Sequence, residues 1–305
     1  VVNEVAVLLC TYNGEAFLQE QLESIVSQRY QHWRLYVSDD GSTDSTLQIL
    51  RSCQRQLGDR MSILEGPRRG FARNFFSLLQ HHGLAADYYA FCDQDDIWYD
   101  DKLERSVKAI ESFRGEPALY CSRTRLIDEQ GRCMGHSPLF KRPACFRNAL
   151  VQSVAGANTM LINKVARELL LQVDSDVRIV AHDWLAYLVV SAAAGQVIYD
   201  PVPTLDYRQH AANLIGGNTT LRSRIHRLRF LWDGRFAQWN DANIEALAPF
   251  YEKMPSSNKS CFNLFQRARS ASIFGRIHHL RQSGVYRQTS LGNLSLLLGN
   301  IIGRI

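Results

Sequence analysis

Three aspartates fall within four residues, Asp93, Asp95 and Asp96, in the stretch "AFCDQDDIWYDDKL" that follows an apolar run. Adjacent carboxylates repel, so the cluster costs stability unless a cation or solvent absorbs the charge. Their hard oxygens suit Mg²⁺ or Mn²⁺, ions that share their coordination with substrate phosphates. A solvated loop that caps the next helix is the plainer account. A second acidic stretch, "DDGSTD", contains Asp40. That carboxylate could accept the imide N–H of a pyrimidine, although Gly41 and Ser42 alone would explain a turn and a helix cap. Tyr12 in "CTYNGE" could stack on a base or simply pack. Arg73 in "GFARNF" stands at a helix start, where it is either solvated or part of an anion site. "AHDW" puts His182 and Asp183 at the head of an apolar helix. Asp183 is then a cap or a general base near an acceptor hydroxyl. His210 in "YRQHAAN" has a structural role, or it meets a metal or phosphate.

The elements that must position these residues alternate. "VAVLL", "WRLYVSD", "MSILE" and "YYAFC" read as short buried strands. Between them, Glu15–Gln28, "STDSTLQILRSC" with Ser42 as N-cap, and "FARNFFSLLQHHG" have helical spacing. A helix from about Asp100 to Phe113 follows the acidic cluster. Strand–helix alternation predicts a mostly parallel α/β sheet with helices on both faces. Ligands of such sheets sit at the carboxyl ends of the strands. "CTYNGE", "DDGSTD" and "DQDDIW" should therefore meet on one rim. Downstream, "GANTMLINKVARELLL" reads as strand then helix, "AHDWLAYLVVSAAAG" as a helix, and "QVIYD" and "TLDYRQH" as strands.

The chain has 305 residues, 46% hydrophobic and 21% charged, enough to bury a core without disulfides. Its seven cysteines show no CxxC pair, which points to reduced thiols and a cytosolic address. The opening "VVNEVAVLLC" lacks the basic region of a signal peptide. No stretch approaches the ~20 apolar residues that span a bilayer. Charge is unevenly spread: residues 215–305 contain 13 Lys and Arg against 4 Asp and Glu, and no acid follows Glu252. A basic tail on a mildly acidic body suggests attraction to an anionic surface.

Taken in order, "VAVLLCTYNGEAFLQEQLESIVSQ", "WRLYVSDDGSTDST", "GFARNF", "AFCDQDDIW", "AHDW" and "YRQHAAN" resemble a family 2 glycosyltransferase of the GT-A fold, over roughly residues 4–215. "DQDDIW" with "HDW" and "YRQH" resembles the bacterial rhamnosyltransferase branch. The resemblance implies a Rossmann-like, mostly parallel sheet in a catalytic domain 1–215, with a nucleotide-binding half 1–115 and an acceptor-side half 116–215. A helical, basic extension 216–305 follows. It implies that Tyr12, Asp40, Arg73 and Asp93 bind the donor nucleotide, that Asp95 and His210 hold Mg²⁺ or Mn²⁺, and that Asp183 is the catalytic base. Asp96 would share a task with its neighbours. The implied donor is dTDP-L-rhamnose, with UDP-glucose as an alternative, and the acceptor is a lipopolysaccharide core or lipid-linked glycan. No nucleic acid is expected as partner. Many family members have Glu-Asp where this chain has His182-Asp183, which leaves His182 without an assigned role.

The residue types suit an inverting transfer. One carboxylate deprotonates the acceptor, and a cation takes up the charge developing on the leaving diphosphate. A nucleotidyltransferase would be expected to carry a Gly-rich, basic phosphate loop after the first strand; "CTYNGE" has one glycine and no Lys or Arg. A non-catalytic glycan-binding protein would have no need of both the D-x-D and Asp183. The tail 260–305 interleaves arginines with Phe262, Phe265, Ile273, Phe274, Ile277, Leu280 and Leu297. It is expected either to cap the catalytic domain or to lie on the cytoplasmic leaflet as a peripheral attachment.

Overall fold

The computed structural model describes residues 3–174, 177–210 and 234–305. The first half runs β1 (Val5–Thr11), α1 (Leu18–Val26), β2 (Trp33–Asp39), α2 (Thr46–Leu57), β3 (Met61–Glu65), α3 (Phe71–Leu79) and β4 (Tyr88–Cys92). All seven residues of β1 are buried. Its side chains alternate between two cores: Ala6, Leu8 and Cys10 enter one, Val5, Val7 and Leu9 the other. This is why the strand reads as an unbroken apolar run rather than an alternating one.

β1 pairs in parallel with β2 on one side and with β4 on the other, and β2 pairs with β3. The chain therefore leaves β1 in one direction and returns for β4 on the opposite side. That reversal opens a crevice at the carboxyl ends of the strands. Thr11 is level with Asp39, and Leu9 with Cys92, so the loops after β1, β2 and β4 converge there.

The chain continues through β5 (Ile97–Trp98), α4 (Lys102–Ile110), β6 (Ala118–Ser122), β7 (Arg125–Ile127), β8 (Cys133–His136), α5 (Phe146–Ala149), β9 (Leu161–Asn163) and α6 (Lys164–Leu170). Then come α7 (His182–Ala192), β10 (Gln196–Asp200) and β11 (Leu205–Arg208). The main sheet has the order β10-β6-β9-β4-β1-β2-β3. β9 runs antiparallel to both neighbours, so the expected parallel sheet carries one reversed strand near its middle. A second sheet, β5-β11-β7-β8, brings the end of β11 against the segment after β4.

The C-terminal region forms α8 (Arg235–Leu247), α9 (Ser256–Ser270), α10 (Ile273–Ser283) and α11 (Ser290–Ile301). Phe236, Leu247, Phe250, Phe262 and Phe265 join the same core cluster as Trp184 and Leu188 of α7. Phe262, Phe265 and Leu280 thus face inward, as the capping alternative has it. One difference concerns α2. Its N-cap is Ser45, not Ser42. The Ser42 hydroxyl instead donates to Asp39 at 2.5 Å, because the carboxylate at the end of β2 competes for it.

Candidate active site

The tip of β1 and the loop after β2 are laced together. Asn13 accepts from the Thr43 backbone N–H at 2.9 Å, and Ser42 Oγ accepts from the Asn13 N–H at 2.9 Å. Glu15 accepts from the Ser45 N–H, and Thr46 Oγ1 from the Gly14 N–H. Asp39 accepts from Thr11 Oγ1 and from the N–H groups of Gly41 and Ser42. Asp40 turns the other way, and its two oxygens accept the N–H groups of Arg68 (2.6 Å) and Gly70 (2.9 Å). Asp40 therefore pins the β3–α3 loop to the rim. The fit around Gly66 is tight: a Cβ there would lie 2.8 Å from Asp40 Oδ1 and from Asn74 Oδ1. Tyr12 stands on this rim with 58% of its surface exposed, a ring with room for a planar ligand to stack.

Gln94, the middle residue of the D-x-D, connects this rim to the acidic loop. Its amide oxygen accepts from the Tyr12 N–H at 2.9 Å, and its amide nitrogen donates to the Tyr12 carbonyl at 3.1 Å. The pairing leaves no space for a side chain at Gly14, where a Cβ would lie 2.4 Å from Gln94 Oε1.

The acidic loop divides its carboxylates by environment. Asp95 Oδ2 lies 2.7 Å from His210 Nε2, both side chains mostly buried. Asp96 has no exposed surface. It accepts from Asn158 Nδ2 at 2.6 Å and from the Arg208 N–H at 3.3 Å. Asp96 thus supports the loop from behind, while Asp93 and Asp95 keep some exposure. Arg208 is the clamp: Nε donates to the Asp95 carbonyl, Nη1 to the Glu129 carbonyl and Nη2 to Glu20 Oε2 at 2.5 Å. Its guanidinium also lies 4.5 Å from the Phe17 ring, which in turn contacts the His210 ring at 5.2 Å. Buried Lys102 approaches the same loop from α4. It donates to the Asn158 carbonyl at 2.9 Å over the Trp98 ring. Burial pulls its pKa down to about 8.

Asp183 enters from α7, and its carboxylate accepts from the Trp184 N–H at 2.6 Å. The N-cap of α7 is Ala181, so Asp183 is inside the first turn rather than in the capping position. Burial raises the Asp183 pKa to about 6. Asp93 is held well above the ordinary carboxylate range, first by burial, then by the charges of Asp95 and Asp183. The acidic loop and the α7 carboxylate thus share one electrostatic site, although they are far apart in sequence. His182 turns inward. Its ring stacks on Phe75 at 4.0 Å and packs edge-on against Phe71 and Phe91. Among the described residues neither ring nitrogen has a hydrogen-bond partner, and burial lowers the pKa to about 3. His182 is a neutral core residue. Arg73 reaches from α3 to the Val177 carbonyl, tying the approach to α7 to α3.

A family model for glycosyl transferase family 2 matches residues 6–170, which is more than half the chain and carries the loops after β1, β2 and β4. The protein is a family 2 glycosyltransferase. Among curated relatives, the glycosyltransferase is 29% identical to a dTDP-rhamnosyl transferase, RfbG of Shigella flexneri, over 72% of this chain and 78% of that one. It is 35% identical to the putative glycosyltransferase EpsE of Bacillus subtilis over 36% of this chain and 40% of the relative. Solved structures share its GT-A fold. The S. aureus TarS fragment 1-349 in complex with UDP-GlcNAc superposes with a TM-score of 0.56 at 15% identity, covering 99% of this chain and 89% of that one. The mannosyltransferase PcManGT from Pyrobaculum calidifontis, in complex with GDP-Man and Mn²⁺, gives 0.53 at 19% identity, covering 100% and 86%.

Within the glycosyltransferase, Tyr12, Asp93, Asp95, Asp183 and His210 gather around one crevice. Asp40 and Arg73 border it, each already engaged with backbone groups. The Asp95 carboxylate has the hard oxygens that Mg²⁺ or Mn²⁺ takes, and His210 Nε2, which is hydrogen-bonded to Asp95 Oδ2, would have to give up that bond to join it as a ligand. Among the described residues no three His, Cys, Asp or Glu side chains form a full ligand set. Substrate phosphate oxygens would supply the remainder, the usual arrangement for Mg²⁺. Reading the sequence alone left Gln94, Asn158, Lys102 and Arg208 without roles. Their only local signal was position: Gln94 inside the D-x-D, Arg208 inside "YRQH", and Lys102 a charge on the apolar face of an amphipathic helix.

Proposed function

We propose that this glycosyltransferase moves L-rhamnose from dTDP-L-rhamnose, with inversion, to a hydroxyl of a lipopolysaccharide core or another lipid-linked surface glycan on the cytoplasmic side. The observation that carries the reading is the meeting of the D-x-D loop with Asp183 in one crevice, where Asp93 feels the charges of both Asp95 and Asp183. Tyr12 stacks on the nucleobase, Asp40 shapes and faces its binding loop, and Arg73 borders the phosphates. Asp93 lies toward the ribose and diphosphate. Asp95 and His210 hold the cation, which when bound neutralises charge that develops on the leaving nucleotide. Asp183 takes the acceptor proton. A base with a pKa near 6 is ionised at neutral pH and still basic enough to help. Inversion requires one base on the face opposite the leaving group, the part assigned here to Asp183, and a β-linked donor then gives an α-linked product.

The rhamnosyl donor rests on the relative from Shigella flexneri, which is similar over most of its length. A hexose donor such as UDP-glucose is the competing reading, and the solved neighbours that bind UDP-GlcNAc and GDP-Man keep it in view. The test is a panel of sugar nucleotides in thermal-shift and hydrolysis assays, with and without Mn²⁺. dTDP-L-rhamnose should give the largest metal-dependent shift and release dTDP. A larger response to UDP-glucose would replace the donor. Binding without any nucleotide release, even with glycan acceptors added, would replace catalysis by recognition.

A further inference from the structure

The C-terminal helices carry an apolar face that the core does not use. Leu291, Leu294 and Leu298 on α11, and Ile302 at its C-cap, are each more than half exposed. Their spacing of three, four and four residues puts them in one stripe, roughly 16 Å long at the rise of an α-helix. The opposite side of α11 is the one that packs, through Leu296, Gly299 and Asn300. The helix "SLGNLSLLLGNI" contains no charged residue. Next to the end of α11, Arg276 of α10 donates to the Ile301 carbonyl and lies against Gly303. One turn earlier, α10 exposes Ile273 at 55% and Phe274 at 87%. A phenylalanine ring in open water is costly, and six large apolar side chains on adjoining surfaces mark a contact.

Charge says what kind of contact. Residues 253–305 hold eight Lys and Arg and not one acid. His278 and Arg281 stand four and seven residues after Phe274, on the same side of α10, and both are exposed. Arg304, also exposed, follows Ile302 closely. The charged side chains named beside these apolar groups, Arg281 and Arg304, are both cationic. Among the described residues no helix is long and apolar enough to cross a membrane. An apolar stripe with a cationic rim and no spanning helix has the composition of an element that lies in the headgroup plane of anionic lipid.

The face is also connected to the site. Trp184, next to Asp183, stacks on Phe236 with ring centroids 6.4 Å apart. Gly234, just before α8, packs against the Arg304 guanidinium. The Arg287 guanidinium lies 5.2 Å from the Phe236 ring. A surface seated on the stripe would therefore be coupled by rigid packing to the helix that carries Asp183.

We propose that Ile273, Phe274, Leu291, Leu294, Leu298 and Ile302, rimmed by Arg281 and Arg304, form the face by which this glycosyltransferase docks on an anionic phospholipid bilayer. The inference deepens the lipid-linked acceptor reading but does not need turnover for its test. Truncating the tail would take Phe262 and Phe265 out of the core and uncover what they pack on, Phe146 included, so surface substitutions are the instrument. The intact protein is floated with phosphatidylcholine vesicles, with and without phosphatidylglycerol, at low and high salt. Wild type should float with the anionic vesicles at low salt and be released by high salt. Arg281→Gln and Arg304→Gln should each weaken binding by about fivefold. Leu294→Ser/Leu298→Ser and, independently, Ile273→Ser/Phe274→Ser should each weaken it by about tenfold with unchanged melting temperature. Wild type that stays off anionic vesicles overturns the proposal. So does a concentration-dependent dimer, seen by light scattering, that the same leucine substitutions abolish, because the face would then belong to a second copy. Hydrolysis of the sugar nucleotide in the absence of lipid is measured separately, so loss of docking and loss of chemistry are told apart.

Discussion

Replacing Asp183 with asparagine separates a base from a structural carboxylate, because the two roles move stability in opposite directions. Burial lifts this carboxyl from 3.8 to about 6. Ionising it therefore costs the folded state more than the unfolded chain. The stability associated with the protonated group is complete below the unfolded pKa and is lost as pH rises through about 6. Such a gap corresponds to roughly 3 kcal/mol at alkaline pH, reduced to about 1–2 kcal/mol by solvent that reaches the partly exposed group. The substituted amide keeps an oxygen to accept the Trp184 N–H but carries no charge. Asp183→Asn should accordingly be more stable than wild type by about 1–2 kcal/mol at pH 8, and the difference should vanish near pH 4. Urea unfolding in chelator at both pH values measures it. Turnover of the same variant should fall by roughly 10²–10⁴-fold while nucleotide binding survives. The wild-type enzyme should lose activity on the acid side near pH 6, where the base becomes protonated. A variant that is less stable at pH 8, or that keeps its rate and loses donor affinity, would refute the reasoning: Asp183 would be holding the helix or the donor.

Two further outcomes follow from the acidic loop and its surroundings. Asp95→Asn should abolish transfer, and EDTA should do so reversibly, since the loss of a charge-stabilising metal contact costs several kcal/mol at the transition state; full activity of the wild type in metal-free buffer is the result that contradicts this. His182→Phe should retain turnover within about threefold and melt no lower than wild type, because the imidazole is neutral, stacked on Phe75 and without hydrogen bonds among the described residues; a large fall in rate with normal folding would assign it a chemical task.

The strands and the rim were legible in the chain because they rest on local rules. "VAVLL" and "YYAFC" are apolar enough to be buried on both faces, and strand–helix alternation leads to parallel pairing. The three loops at the carboxyl ends could then be picked out from the sequence. The motif order carried the family, which the match over residues 6–170 bears out. What lay beyond reach was the direction in which a side chain points. Asp93, Asp95 and Asp96 are identical as letters. Yet Asp96 is fully buried against Asn158 and Arg208, while Asp95 meets His210, 115 positions away. The neighbouring letters of "HD" likewise diverge, His182 into a cage of phenylalanines and Asp183 toward the crevice.

The tail makes the same division plain. Sequence by itself determined that residues after Glu252 are basic and apolar with no acid, a property of composition that no packing can alter. Only the tertiary structure decided which apolar residues are spent on the core. Phe262, Phe265 and Leu280 go inward, and Phe274, Leu291, Leu294, Leu298 and Ile302 stay out. Helical periodicity gives each helix its faces, but which face is covered depends on α7, α8 and the neighbouring tail helices. α7 is distant in the chain from the tail, and the burial of a shared core brings the two together.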